Sequence, residues 1–315
     1  MKSFVVSKEE AQMRLNRFIA KKAPALSQSG MYKAIRTKHI KVNKKRTEPS
    51  YILQENDIVE IWLNDELIGD ISTETRPDFM NASKNISIVY EDENLAIVYK
   101  PEGLFSHPVK GNYTDTIISR YLRYLYEKKE YSLDSSFSPA LCNRLDRNTK
   151  GLLIIGKTLE ATKEINNLIA ENKVIKTYYA LTVGKCDLNG IYHAFWSKDE
   201  SRNTVTIFDD DISTPYEIIT EFHSISSNNE ISLVEAILHT GRTHQIRAHL
   251  SHLGYPIIGD PKYGNEKVNK KYNLHYQQLV SYSITFNSRT SELLSYLDGK
   301  SFSIPDQPFP ELYKI

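Results

Sequence analysis

Cys142-Asn-Arg-Leu-Asp-Arg-Asn-Thr-Lys-Gly151 runs straight into Leu152-Leu-Ile-Ile155. The apolar run reads as a buried strand, and the polar stretch before it reads as a turn. Asp146 stands between Arg144 and Arg147. Arginines at that spacing keep a carboxylate ionised and attract an anionic substrate. A single carboxylate presented beside arginines at the head of a buried strand suits a nucleophile or base acting on a nucleic acid. A surface aspartate paired with a neighbouring arginine gives the same local pattern.

Two further blocks lie on either side. Tyr99-Lys-Pro-Glu-Gly-Leu104 is a strand end broken by a turn, and His239-Thr-Gly-Arg-Thr-His-Gln-Ile-Arg-Ala-His-Leu250 continues to Gly254-Tyr-Pro-Ile-Ile-Gly-Asp-Pro-Lys-Tyr-Gly264. Together with Arg144-Leu-Asp-x-x-Thr-x-Gly151 these blocks resemble the motifs of the RluA-type pseudouridine synthases, from about residue 86 to the C-terminus. The resemblance implies an α+β catalytic domain over 86–315, with a mixed, largely antiparallel sheet around a central cleft. Asn143 stands where the family usually has His, and Lys150 where it often has Ser.

Composition is that of an ordinary globular protein: 315 residues, 40% hydrophobic, 25% charged, formal net charge +1. No global basic field announces nucleic acid, so any such signal is local. Two cysteines, Cys142 and Cys186, make neither a disulfide framework nor a metal-ligand spacing. No apolar run reaches the ~20 residues that span a bilayer, and the N-terminus reads as no signal peptide. The expectation is a cytoplasmic monomer without membrane contact.

The local signal lies near the N-terminus. Leu15, Phe18 and Ile19 fall on one helical face, and Pro24 is expected to end that helix. Ser27 offers an N-cap for a second helix near 28–38, with Met31, Ala34 and Ile35 as its apolar stripe. Ile40-Lys-Val42 and Ile58-Val-Glu-Ile-Trp62 read as strands, with a turn at 43–45. Lys33, Arg36, Lys38, Lys41, Lys44, Lys45 and Arg46 fall within 31–46, where there is no Asp or Glu. Such a patch can track phosphates by releasing counterions. The order helix, turn, basic helix, basic strand resembles an S4 RNA-binding domain over about 13–63. The domain expectation is therefore 1–63 for RNA binding, 64–85 as a flexible polar linker, and 86–315 for catalysis.

In the catalytic part, strands are expected at 86–90 and 95–99, a Thr114-capped helix from Asp115, a helix over 159–171, and strands over 176–183 and 233–238. Ile246, Leu250 and Leu253 place a helix ending at Gly254, with Arg247 at the margin of its buried face. His107 lies in a loop. His249 and His252 share a helical face, but no third ligand stands near them, so no metal site is expected.

Pseudouridine formation breaks N1–C1′ of uridine, turns the base and rejoins it through C5, a change that needs no cofactor. The resemblance assigns the carboxylate to Asp146, the cation beside it to Arg247, and the aromatic face against uracil to Tyr178, in Lys176-x-Tyr178-x-Ala180. Tyr178 and Tyr179 are equally good strand residues when read alone. Base flipping leaves a gap that Arg144 is placed to fill, and Arg242 is a further candidate RNA contact. Because the family's members with such a module mostly act on large-subunit ribosomal RNA, that substrate is expected over transfer RNA. Two other readings compete: a catalytically degenerate RNA-binding protein, and a hydrolase pairing Asp146 with Glu235.

Overall fold

The computed structural model describes residues 1–7, 10–23, 26–63, 78–109, 114–133, 135, 137–210, 216–305 and 309. These group into two compact units, Met1–Pro77 with Tyr131–Phe137, and Asp78–Glu130 with Ser138–Ile315. The helix end expected at Pro24 and residues 64–77 of the expected linker lie outside the described residues.

In the first unit, β1 (Lys2–Val5), β2 (Ile40–Val42) and β3 (Ile58–Ile61) form an antiparallel sheet in the order β1-β3-β2. Helices α1 (Leu15–Lys22) and α2 (Gln28–Arg36) cover it with the two apolar stripes read from the sequence. The Ser27 side chain caps α2 by accepting from the Gly30 N–H. After β2 the chain turns through Asn43 and Lys44, both at positive φ (49° and 63°), and Val42 bridges back to Lys45. This two-residue turn has the I′ geometry that suits antiparallel strands. The Asn43 side chain holds it, donating to Asp57 (2.7 Å) and accepting from the Ile58 N–H (2.8 Å). β1 was not legible in the sequence, because Lys2-Ser-Phe-Val5 alternates in burial but not in polarity.

The second unit is built on one large sheet. Its strands are β4 (Ser87–Glu91), β5 (Leu95–Lys100), β6 (Ala140–Leu141), β7 (Lys150–Gly156), β8 (Val174–Val183), β9 (Asn189–Asp199) and β10 (Thr204–Phe208). They continue with β11 (Glu217–Ser227), β12 (Ile231–Leu238), β13 (Leu279–Phe286) and β14 (Ser301–Ser303). The order is β10-β9-β11-β12-β8-β13-β7-β5-β4, with β14 on β13 and β6 on β7. Pairing is antiparallel except between β13 and β7. In β5 and β7, residues 95–98 and 152–155 are fully buried on both faces, which explains their unbroken apolar runs.

Helices α3 (Ile117–Glu127), α4 (Leu159–Ala170), α5 (Gln245–His252) and α6 (Glu266–Lys271) complete this unit. Thr116, not Thr114, caps α3 by accepting from the Ser119 N–H. Asp115 is held instead by a two-pronged pair with Arg120 at 2.8 Å, so the helix starts after it. Residues 78–81 form a 3₁₀ turn whose Phe79 ring packs edge-on against Tyr126 at 5.7 Å. That end of the polar segment expected as linker is therefore part of the second unit; Phe79 was its hidden signal. The region 184–230, which shows only short strand-like runs in sequence, forms β10 at the run 204–208 and the long strands β9 and β11, which mix buried, half-buried and exposed residues.

Candidate active site

Asp146 lies in the turn between β6 and β7. Its neighbours are anchored while it is left projecting. The Asn143 side-chain oxygen accepts from the Ile154 N–H (2.8 Å). Leu145 is buried, its carbonyl accepting from the Ser106 hydroxyl (2.9 Å) and its N–H donating to the same oxygen (3.2 Å). Thr149 is buried and accepts from the Gln277 amide (3.1 Å). Gly151 closes the turn at φ +124°, and any Cβ there would collide with the Ser281 backbone of β13. Glycine is thus required both for the dihedral and for the parallel contact of β7 with β13.

Lys100 secures the turn from below. Fully buried at the end of β5, its ammonium donates to the carbonyls of Pro101 (3.0 Å), Leu104 (2.8 Å) and Arg147 (2.9 Å). Three acceptors satisfy its three donors. Burial pushes its pKa down to about 7, against the pull of the Asp146 and Glu102 charges.

Arg247, in the first turn of α5, is 4% exposed. Its Nη1 donates to Asp146 Oδ2 at 2.7 Å. Its Nε and Nη2 form a fork on Asp260, at 2.7 and 2.9 Å. Asp260 also accepts from the N–H groups of Lys262 (2.8 Å) and Tyr263 (3.1 Å). Burial opposes its charge, but the Arg247 bonds outweigh that and hold its carboxyl below the usual range. The guanidinium is also 5.3 Å from the centre of the Tyr263 ring. Arg247 is therefore set from one side by Asp260 and presents Nη1 to Asp146, as a planar fork can.

β8 sends the two tyrosines to opposite faces. Tyr178 is 5% exposed and within electrostatic reach of Asp146. Tyr179 points to the opposite face and stacks on Tyr282 with ring centroids 4.6 Å apart. Burial pushes the Tyr178 phenol up to about 12, with the Asp146 charge adding to it and a hydrogen bond with Ser281 opposing. The phenol is neutral at pH 7, so it offers a ring face and a hydroxyl, not a phenolate.

The other candidates are more outlying. Arg144 is exposed beside Asp146. Arg242 is exposed on the loop before α5, its guanidinium 4.6 Å from the Tyr216 ring centre. That loop is fixed by the buried Gln245, which accepts from Thr240 (3.0 Å) and the Arg242 N–H (2.9 Å), and by Trp196 donating to the Thr243 carbonyl (3.0 Å). The four histidines of this region have separate partners. His239 pairs with Glu221, His244 with Tyr263, His249 with Thr220, and His252 with Asp209. Among the described residues no group of three or more His, Cys, Asp or Glu could hold a metal. His107 is exposed in its loop near Arg144. Glu235 sits in mid-β12 opposite His223 and Tyr179, and none of the contacts to Asp146 described above involves it.

The basic residues form a second candidate interface, on the first unit. Lys33, Arg36, Lys38, Lys44, Lys45 and Arg46 are exposed, and Lys41 lies over the Trp62 ring at 5.9 Å. A groove of about 1200 Å³ is lined by Tyr32, Lys33, Arg36, Lys45, Arg46 and Tyr51, among others. Cationic side chains interleaved with exposed tyrosines suit phosphates and stacked bases together.

Asp260, Lys100, Ser106, Gln245 and His244 were not singled out from sequence as site residues, though all but Ser106 lie inside the quoted motif blocks. Asp260 is the one acidic residue of Gly254–Gly264, and that was the available signal for it.

A mixed sheet with an arginine-held carboxylate projecting from it, joined in one chain to a small basic α/β unit, is an arrangement suited to an enzyme that acts on RNA. A family model described as RNA pseudouridylate synthase matches residues 94–252, and an S4 domain model matches 13–59. An uncharacterized RNA pseudouridine synthase of Mycoplasma capricolum subsp. capricolum is 33% identical over 95% of this chain and 96% of its own length. A ribosomal large subunit pseudouridine synthase C of Rickettsia bellii is 32% identical over 85% of this chain and 89% of its own. Among solved structures, human RNA Pseudouridylate Synthase Domain Containing 4 aligns with TM-score 0.53 and 21% identity, over 71% of this chain and 89% of that one, a likeness of fold. The chain belongs to the RNA pseudouridylate synthase family and is an isomerase with an S4 domain.

Proposed function

We propose that this enzyme isomerises uridines of large-subunit ribosomal RNA, with Asp146, Tyr178 and Arg247 as its reaction centre. The observation that carries the site assignment is the 2.7 Å contact of Arg247 Nη1 with Asp146 Oδ2, braced by Asp260. The charge-assisted bond stabilises the ionised carboxylate, which is the form that can attack the nucleotide or stabilise a cationic sugar. The N1–C1′ bond breaks with its electrons on the uracil. The base turns against the Tyr178 ring, C5 bonds to C1′, and the C5 proton is lost while N1, freed of the sugar, takes one up. Arg144, exposed beside Asp146, is positioned to fill the gap left by the flipped base.

The substrate reading rests on the relatives named as large-subunit synthases and on the basic groove. One chain supplies the whole proposed centre, in keeping with a monomer. A ribosomal substrate and two unpaired thiols fit the cytoplasm. The test is pseudouridine mapping of total RNA from cells lacking the gene, restored with wild type or Asp146→Ala. Sites in large-subunit RNA that only wild type restores are the expected result. Sites confined to transfer RNA would overturn the substrate, and restoration by Asp146→Ala would overturn the role of Asp146.

A further inference from the structure

His244 has no part in the chemistry above, yet its surroundings are built around it. It is the residue before α5, at φ 55°, in the left-handed region that histidine enters more readily than most side chains. The side chain is 8% exposed, and its Nε2 lies 3.8 Å from Asp146 Oδ2. That is too long for a direct hydrogen bond, but an oxygen bound beside Asp146 would come within reach of Nε2.

Two neighbours, Tyr263 at Nδ1 and Asp146 at Nε2, bear on the ring proton. Tyr263 Oη accepts from the Val205 N–H (2.8 Å) and lies 2.9 Å from His244 Nδ1. A hydroxyl has one proton and two lone pairs, so Tyr263 Oη can donate to Nδ1 or accept from it, and the charge beside Nε2 decides between the two. A lone pair on Nε2 would face the anionic Asp146 at 3.8 Å, whereas an N–H faces it favourably, so the neutral ring carries its proton on Nε2 and Tyr263 donates to Nδ1. The ring stays neutral. Burial pushes its pKa down to about 4, and Arg247 and Lys262 push the same way against Asp146 and Asp260.

We propose that His244 is a fixed-tautomer donor that presents Nε2–H to an acceptor oxygen of the target uridine, with Tyr263 as the positioning residue that supports the tautomer. This rests on the pseudouridine synthase reading of the Asp146 site. It adds a second donor, beside Arg247, aimed at the place where the nucleotide meets Asp146. The Tyr263 ring against Arg247 and its hydroxyl against His244 tie both donors to one support.

The test combines ring-nitrogen NMR of the histidine-labelled protein with single-turnover kinetics on a ribosomal RNA fragment carrying a mapped uridine. The variants are His244→Leu, His244→Gln and Tyr263→Phe. The expected spectrum is a neutral Nε2–H ring across about pH 5 to 8. His244→Leu should lower the single-turnover rate on the order of 100-fold with RNA affinity unchanged, as for loss of one aimed donor. His244→Gln, which keeps an N–H near that position, should recover most of the rate, and Tyr263→Phe should give mixed tautomers and an intermediate rate. An Nδ1–H or charged ring in the wild type, or an undiminished rate in His244→Leu, overturns the proposal. Should His244→Leu fail to fold, Tyr263→Phe and the wild-type spectrum decide. Absence of wild-type turnover on every RNA would strike the function itself, while the spectrum still judges the tautomer.

Discussion

Asp260→Asn tests the idea that Arg247 is held for its task from behind. The side chain of Asp260 is fully buried and receives two guanidinium bonds and two backbone N–H bonds. Asparagine keeps the shape but turns one guanidinium-facing acceptor into a donor and removes the charge. Arg247 is then left buried with Asp146 as its charged partner. Breaking one side of a buried pair costs about 3–5 kcal/mol, because the remaining charge is uncompensated. At about 2–4 °C per kcal/mol for a domain of this size, the melting temperature should fall by roughly 6–20 °C. The rate should fall further than folding alone explains. Released from its fork, Arg247 can turn toward Asp146 with two donors, drawing the carboxylate out of line and costing on the order of 100-fold in single-turnover rate. Urea unfolding, melting and single-turnover kinetics below the new melting point separate the two effects. A second variant, Arg247→Met with Asp260→Leu, replaces the pair by apolar groups. It should regain much of the stability and none of the activity. Wild-type rate and stability in Asp260→Asn would refute the reasoning.

Lys100 predicts a pH effect. Its folded pKa, about 7, lies below the ordinary 10.5, so between those values the unfolded chain binds more protons and stability rises with pH. Lys100→Met should flatten that rise in denaturation curves taken across the window; an unchanged slope would remove Lys100 as its source. Replacing Lys33, Arg36, Lys45 and Arg46 together by Ala should weaken RNA binding and reduce the slope of log affinity against log salt by about 3, at ~0.7–0.9 per phosphate contact. An unaltered slope would separate the groove from RNA. Gly151→Ala, forced against the Ser281 backbone at φ +124°, should destabilise by about 1–3 kcal/mol or more, read from urea midpoints. A neutral result would mean that β13 yields easily.

Much of the site was legible because it is written in contiguous motifs. Asp146 sits in a turn flanked by arginines and followed by an apolar strand, and both the turn and the strand formed as read. Periodicity from Ile246 set Arg247 at the margin of a buried face, but Gln245 to Leu250 are all buried, so α5 has no exposed face there and Arg247 lies inside rather than at an edge. Ser27, Met31, Ala34 and Ile35 show the same legibility in α2, where cap and stripe obey local rules of 3.6-residue periodicity. Such features depend on residues close in sequence, and a sequence displays them directly.

Legible from local pattern alone, therefore, are most of the elements, the motif residues and the class of chemistry that their pattern resembles. The tertiary structure decided which side chains meet. Tyr178 and Tyr179 have the same strand propensity, and only the pairing of β8 between β12 and β13 turns one toward Asp146 and the other toward Tyr282. Asp260 is thirteen residues beyond Arg247, and no periodicity joins them. Lys100 holds the carbonyl of Arg147 across forty-seven residues, because β5 and β7 are neighbours in the sheet. His244 Nδ1 meets the hydroxyl of Tyr263, whose other partner lies on β10. These contacts arise from long-range strand pairing and from the need of each buried polar group for a partner, and neither condition is visible until the chain has folded.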